Sequence, residues 1–81
     1  MKTTEYFKAT RNRLDRKVIS DEWIEEVIAN PVSEAVQLDG RIRRWGFVPE
    51  CENRVLRVIL LPDGETVHNA FFDRSFTRLR K

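Results

Sequence analysis

The residues with the most chemical potential in this 81-residue chain lie in HNAFFDRSF, residues 68 to 76. The stretch holds the only histidine, His68, and an Asp73-Arg74 pair, and Arg57 stands in the preceding hydrophobic segment. Such a small set is compatible with one reaction in particular, the metal-independent cleavage of RNA. There the 2′-hydroxyl attacks the adjacent phosphate, so the protein must supply a proton acceptor, a proton donor and cations around the developing charge. A mechanism with two histidines is excluded. The acceptor is His68 or a carboxylate such as Glu65, the donor is His68 or Tyr6, and Arg54, Arg57 and Arg74 are the candidates to stabilise the phosphate. Arginine stays charged and makes a poor proton acceptor. Each residue also has a purely structural reading. A strand histidine can serve as a hydrogen-bonding group, strand arginines can simply be solvated, and Tyr6 can belong to the core. Phe71 and Phe72 read as core and sheet-edge packing before base-stacking platforms, since one of two adjacent strand residues must face inward. Asp73-Arg74 reads as a cap at the strand end.

Other chemistries find little to work with. The sequence contains no phosphate-binding glycine loop and no HExxH, CxxC or GxSxG motif. A Ser-His-Asp relay would have to join His68 to Ser20, Ser33 or Ser75, none of which sits in a nucleophile turn. Cys51 lies between Glu50 and Glu52, whose charges disfavour a thiolate if they lie close. One cysteine and one histidine cannot build a structural zinc site or an intrachain disulfide, so neither metal nor cofactor is expected.

Net charge is +2, but it is strongly segregated along the chain. Residues 1 to 17 carry +4, residues 18 to 39 carry −6 with no base at all, residues 40 to 48 carry +3 and the last nine residues carry +3. Eleven of the fifteen bases are arginine, the side chain suited to bidentate phosphate contacts. Arg41, Arg43, Arg44 and Arg54 are accordingly the candidate RNA-binding residues. The basic segments either meet on one phosphate-binding face or pair with the acidic segment. With 41% apolar and 35% charged residues the composition is that of a globular domain. The longest apolar run is Val58 to Leu61, too short to cross a bilayer, and the N-terminus has no hydrophobic signal region, so a cytoplasmic location is expected.

The elements that must position these residues can be read from pattern. A helix is expected at 21 to 30: Ser20 is a good N-cap, Asp21 and Glu22 suit the helix dipole, Ile19 and Ile24 have staple spacing, and Asn30-Pro31 ends it. Trp23, Ile24, Val27 and Ile28 form its apolar stripe. Ala35 to Leu38 leads through Asp39-Gly40 into a strand at 41 to 48, stopped by Pro49. Strands at 54 to 61 and 65 to 72 make a hairpin around Pro62-Asp63-Gly64. A three-residue loop there would set Val58 opposite His68 and Arg57 opposite Asn69. His68 would then share a face with Leu56, Leu60, Ala70 and Phe72, whereas Arg57, Asn69 and Glu65 would line the other. A two-residue loop would bring His68 and Arg57 onto one face. Tyr6, Phe7, Thr10 and Leu14 fit a helical face capped by Thr4, or a short strand at 5 to 10. The fold class is therefore α+β in a single domain over residues 1 to 81, one or two helices packed on a three- to four-stranded antiparallel sheet. Trp23, Ile24, Val27, Ile28, Val55 or Leu56, Val58, Leu60 and Phe72 should form much of its core.

The run ISDEWIEEVIANP, the strand start DGRIRRW and the hairpin LRVILLPDGETVHNAFFDRSF together resemble a group of small bacterial proteins of unknown function, nearly over the whole chain. That group is similar in layout to the RelE and BrnT toxins of toxin-antitoxin systems, which cleave mRNA. The resemblance implies a RelE/BrnT-like fold, a toxin-like ribonuclease activity, an RNA substrate and an antitoxin protein as partner. By place in the hairpin it implies that Arg57, His68 and Arg74 are the catalytic residues. The sequence departs from a typical RelE toxin in its low net charge and its four lysines. The second reading, from a different class, is a non-catalytic module that binds a protein partner or forms a dimer by pairing an exposed sheet edge.

Overall fold

Three helical segments come first along the chain and four strands follow. The computed structural model describes residues 1 to 76. Helix α1 spans Glu5–Thr10, and the Thr4 hydroxyl caps it by accepting the Phe7 amide at 3.1 Å. Of the two N-terminal alternatives, the helix forms. Phe7 and Thr10 are buried, but Tyr6 and Leu14 point away from the core. A single turn, α2, follows at Leu14–Lys17, within the basic N-terminal segment. Helix α3 is Asp21–Ala29, and Ser20 Oγ accepts the Trp23 amide at 3.2 Å. Ile19 and Ile24 are both fully enclosed, as the staple requires.

The strands β1 (Ser33–Val36), β2 (Ile42–Val48), β3 (Arg54–Leu60) and β4 (Val67–Phe72) form one antiparallel sheet in the order β1-β2-β3-β4. The protein is thus α+β, with helices packed on a four-stranded antiparallel sheet. Pro49 stops β2 by opening a short 3-10 turn, Pro49–Cys51.

Register divides the sheet into two faces. The rows Ile42-Leu60-Val67, Arg44-Val58-Ala70 and Gly46-Leu56-Phe72 face the helices, and Arg43-Ile59-Asn69 and Trp45-Arg57-Phe71 face the other way. Leu56, Val58, Leu60, Val67, Ile24 and Val27 are fully enclosed between sheet and α3, with Phe7 and Val48 at the margins. Trp23, Ile28 and Phe72 pack against this core from partly buried positions, as their stripe and strand positions require. Gly46 lets α3 approach, because a Cβ there would lie 2.9 Å from Val27 Cγ2.

The β3–β4 hairpin corrects the expected loop. Gly64 donates to the Leu61 carbonyl and Leu61 donates to the Thr66 carbonyl, both at 2.9 Å, so four residues, 62 to 65, close the turn. Asp63 lengthens it, since its carboxylate accepts the Glu65 and Thr66 amides and the Thr66 hydroxyl at 2.6 to 2.9 Å. A bulge then shifts the register between Ile59 and Leu60, and His68 is its extra residue. Val58 therefore pairs with Ala70 and Arg57 with Phe71, two residues beyond the expected partners. An offset of two preserves parity, so Leu56, Leu60, Ala70 and Phe72 do share a face and Arg57 and Asn69 share the other. His68 leaves the Leu56 face.

Candidate nucleic-acid interface

The bulge decides what surrounds His68. Residues 2 to 4 run along the outer edge of β4: Thr3 bridges Val67 in parallel, Thr4 donates to the Val67 carbonyl at 3.1 Å, and Val67 donates to the Lys2 carbonyl at 2.8 Å. Thr3 and Val67 turn toward the core, and their successors Thr4 and His68 turn toward the open face. Thr4 Oγ1 lies 3.1 Å from His68 Nδ1, so one hydroxyl both caps α1 and holds the imidazole. The ring of Tyr6 stacks on that imidazole, with centroids 4.8 Å apart and planes 21° from parallel. Burial holds His68 below its ordinary pKa of 6.5, the charge of Arg41 pushes it further down, and Asp39 opposes them. The lowered value favours neutral His68 near pH 7, with the Tyr6 ring stacked against it.

A second cluster occupies the same face further along. Arg57 places its guanidinium 5.6 Å from the Trp45 ring centre and 5.0 Å from that of Phe71. Arg16, reaching round the β4 edge from α2, lies over the other side of the row at 5.1 Å from Phe71 and donates to Asn69 Oδ1 at 2.8 Å. Phe76 stacks on Trp45 at 5.3 Å. The anchor is Asp73, 8% exposed. One of its oxygens accepts from Trp45 Nε1 at 2.9 Å and from Arg57 Nε and Nη2 at 2.9 and 2.7 Å, and the other accepts from the Ser75 amide and hydroxyl and the Phe76 amide. Burial alone would raise the pKa of Asp73, but the hydrogen bonds from Ser75, Trp45 and Arg57 outweigh it and hold the carboxyl below its usual range. Asp73 and Arg57 neutralise each other. Asp73 does cap the strand end, though through its buried carboxylate and Arg57 rather than through its neighbour Arg74.

Of the candidate catalytic residues, the structure places Arg57 and His68 on one face and separates Arg74 from His68, although Arg57 reaches Asp73, the residue before Arg74. His68 and Phe72 stand four residues apart on β4, roughly 13 Å, and Arg74 lies beyond Phe72, exposed. The candidate RNA-binding arginines divide as well. Arg41 and Arg43 belong to the open face with His68. Arg44 lies on the helix face, donating to Glu34 at 2.8 Å and to the Ile28 carbonyl at 3.0 Å, and Arg54 sits 4.1 Å over Phe72 near the hairpin end. Arg78, Arg80 and Lys81 lie outside the described residues. The basic and acidic segments do meet, through Arg11–Asp21 at 2.7 Å, Arg44–Glu34 at 2.8 Å and Arg41–Asp39 at 3.7 Å.

Sequence reasoning missed three contributors. Trp45 is buried by Asp73, Arg57 and Phe76, without any helix over it. Arg16 and Thr4 reach the face only because α1 and α2 pack at the β4 edge. No local signal marked Arg16, whereas Thr4 was visible as a cap and not as a partner of His68. Among the described residues no group of His, Cys, Asp and Glu could hold a metal ion, and no helix is long and apolar enough to cross a membrane. Comparison with family models, with curated proteins and with solved structures returns no match.

Proposed function

We propose that this chain is a toxin-like, metal-independent RNA-cleaving protein that holds RNA on the open face of its sheet. The observation that carries the reading is the stacking of Tyr6 on His68, on the sheet face to which Arg41 and Arg43 also belong. Proton acceptor, proton donor and phosphate cation are the three parts that attack by a 2′-hydroxyl requires. His68 takes or returns the proton, Tyr6 supplies the second proton-bearing group, and Arg41 with Arg43 faces the phosphate. In that reaction the bond from the 2′-oxygen to phosphorus forms and the bond to the 5′-oxygen breaks. One proton leaves the 2′-hydroxyl for the acceptor and one reaches the departing 5′-oxygen from the donor.

Arg57 enters this reading as a structural cation, since Asp73 already answers its charge, and Arg74 is too far from His68 to act with it. Kinship with the RelE and BrnT toxins is part of the proposal. It draws on the EWI, NP, DGRI and ETVHNAFFDR segments and on the layout of helices against an antiparallel sheet, and layout alone does not carry function. Induction of the chain in a bacterial host tests the reading. Growth arrest that His68→Ala relieves at equal soluble expression supports it, and unimpaired growth with the native chain counts against it.

A second reading, binding of an antitoxin-like partner or a second copy through the sheet edge, is favoured by the asymmetry of the two edges. Residues 2 to 4 cover β4, whereas β1 has no neighbour beyond it among the described residues and exposes Val36, with Leu38 exposed in the turn that follows. Sedimentation of the native chain and of Val36→Lys at high concentration distinguishes them: a dimer lost in the variant favours the edge, and a monomer in both disfavours self-pairing.

A further inference from the structure

An RNA-binding sheet face needs rings on which bases can lie, and most rings here are already engaged. Trp45 has Phe76 and Arg57 against it, and Phe71 has Arg57 and Arg16 against it. Phe72 belongs to the helix side, with Arg54 over it and Trp23 tilted against it. Tyr6 differs. It rests on His68 by one ring face and is 49% exposed. Cations stand nearby. The charge of Arg41 depresses the His68 pKa; its guanidinium lies 3.7 Å from Asp39, whose carboxylate also accepts the Arg41 amide at 3.0 Å. Arg43 lies in the row Arg43-Ile59-Asn69 that abuts the bulge, roughly 10 Å or two strand spacings from His68. Its Nε is buried and makes no hydrogen bond among the described residues.

We propose that the outer ring face of Tyr6 is the stacking platform for one unpaired base of single-stranded RNA, whose flanking phosphates meet Arg41 and Arg43. The inference rests on the RNA reading above and narrows it to a substrate class. A base buried in a duplex stack cannot present its face to a ring, so a single platform beside His68 selects unpaired RNA. Stacking there would also bring the linked phosphate to the imidazole. The ring, and not the phenolic hydroxyl, is what binding uses.

The test is equilibrium binding, by fluorescence anisotropy, of a labelled 2′-O-methyl oligoribonucleotide, which has no attacking hydroxyl and stays intact. The probe is used both single-stranded and annealed to its complement. The native chain is expected to favour the single strand by roughly ten-fold or more, Tyr6→Leu to lose roughly ten-fold of that affinity, and Tyr6→Phe to keep it. Because Tyr6 is half exposed, neither variant disturbs the core, and circular dichroism checks this. If Tyr6→Leu binds as the native chain does, if Tyr6→Phe is as weak as Tyr6→Leu, or if the duplex binds equally well, the platform is overturned while the RNA face stands. If the native chain binds neither form, the RNA reading itself falls.

Discussion

Asp73 and His68 both titrate below their ordinary values, for different reasons and with the same sign of consequence. Asp73 is held ionised by six donated hydrogen bonds, counting amides, hydroxyl, indole and guanidinium. Its stabilising contribution is complete above its ordinary value of 3.8 and is lost as pH falls through the lower folded value. Asp73→Asn keeps the shape and removes the charge that answers Arg57. It should cost about 2–4 kcal/mol of stability by urea unfolding at pH 7, because a partly buried guanidinium is left without its anion. His68 is neutral in the fold because the imidazolium is the less solvated form there. Its contribution is therefore full above 6.5 and falls away as pH drops through the lowered folded value. Thermal midpoints taken between about pH 7 and 5.5 should decline more steeply for the native chain than for His68→Gln. As the one histidine, its own titration is directly readable by proton NMR, and a midpoint at or above 6.5 would contradict the placement.

At the scale of elements, helix α3 was legible because each of its signals is local. Ser20, the acidic first turn, the Ile19–Ile24 staple and the Asn30-Pro31 stop all act within a few residues, and the helix begins and ends within a residue of where they place it. The strands were legible from alternation and turn residues, except that the first forms at Ser33–Val36 rather than at 35 to 38. The hairpin register was not, because Pro62 and Gly64 are compatible with more than one loop length and the choice falls to Asp63, whose side chain captures two amides downstream. The bulge at His68 leaves no mark on the sequence, and it adjoins Val67, which pairs with Lys2 and Thr4 from the far end of the chain. That one residue decides which face carries the imidazole. Gly46 is the position where α3 and the sheet depend most on the absence of a side chain. Gly46→Ala should lose about 1–3 kcal/mol, since the new Cβ must displace Val27 from a closed core. Denaturant unfolding checks it, and a neutral result would mean that the helix shifts at little cost.

The whole molecule separates its charges. The stretch without a base, residues 18 to 39, builds α3 and β1, while Arg41 and Arg43 lie on the face turned away from α3 and Arg16 reaches that face from the β4 edge. Half of the candidate arginines were visible as a cluster in sequence, yet alternation along β2 sends Arg44 to the helix side and Arg41 and Arg43 to the other. If the open face binds RNA, log affinity should fall with log salt, and removing either arginine should shallow the slope by about 0.7. Arg44→Ala, on the far side, should leave the slope unchanged. Cleavage of a single-stranded RNA by the purified chain in the presence of a chelator tests the central claim most directly. The account predicts fragments ending in a 2′,3′-cyclic phosphate and a 5′-hydroxyl, formed by the native chain and reduced at least a hundred-fold in folded His68→Ala. Intact RNA, or equal cleavage by the variant, would contradict it.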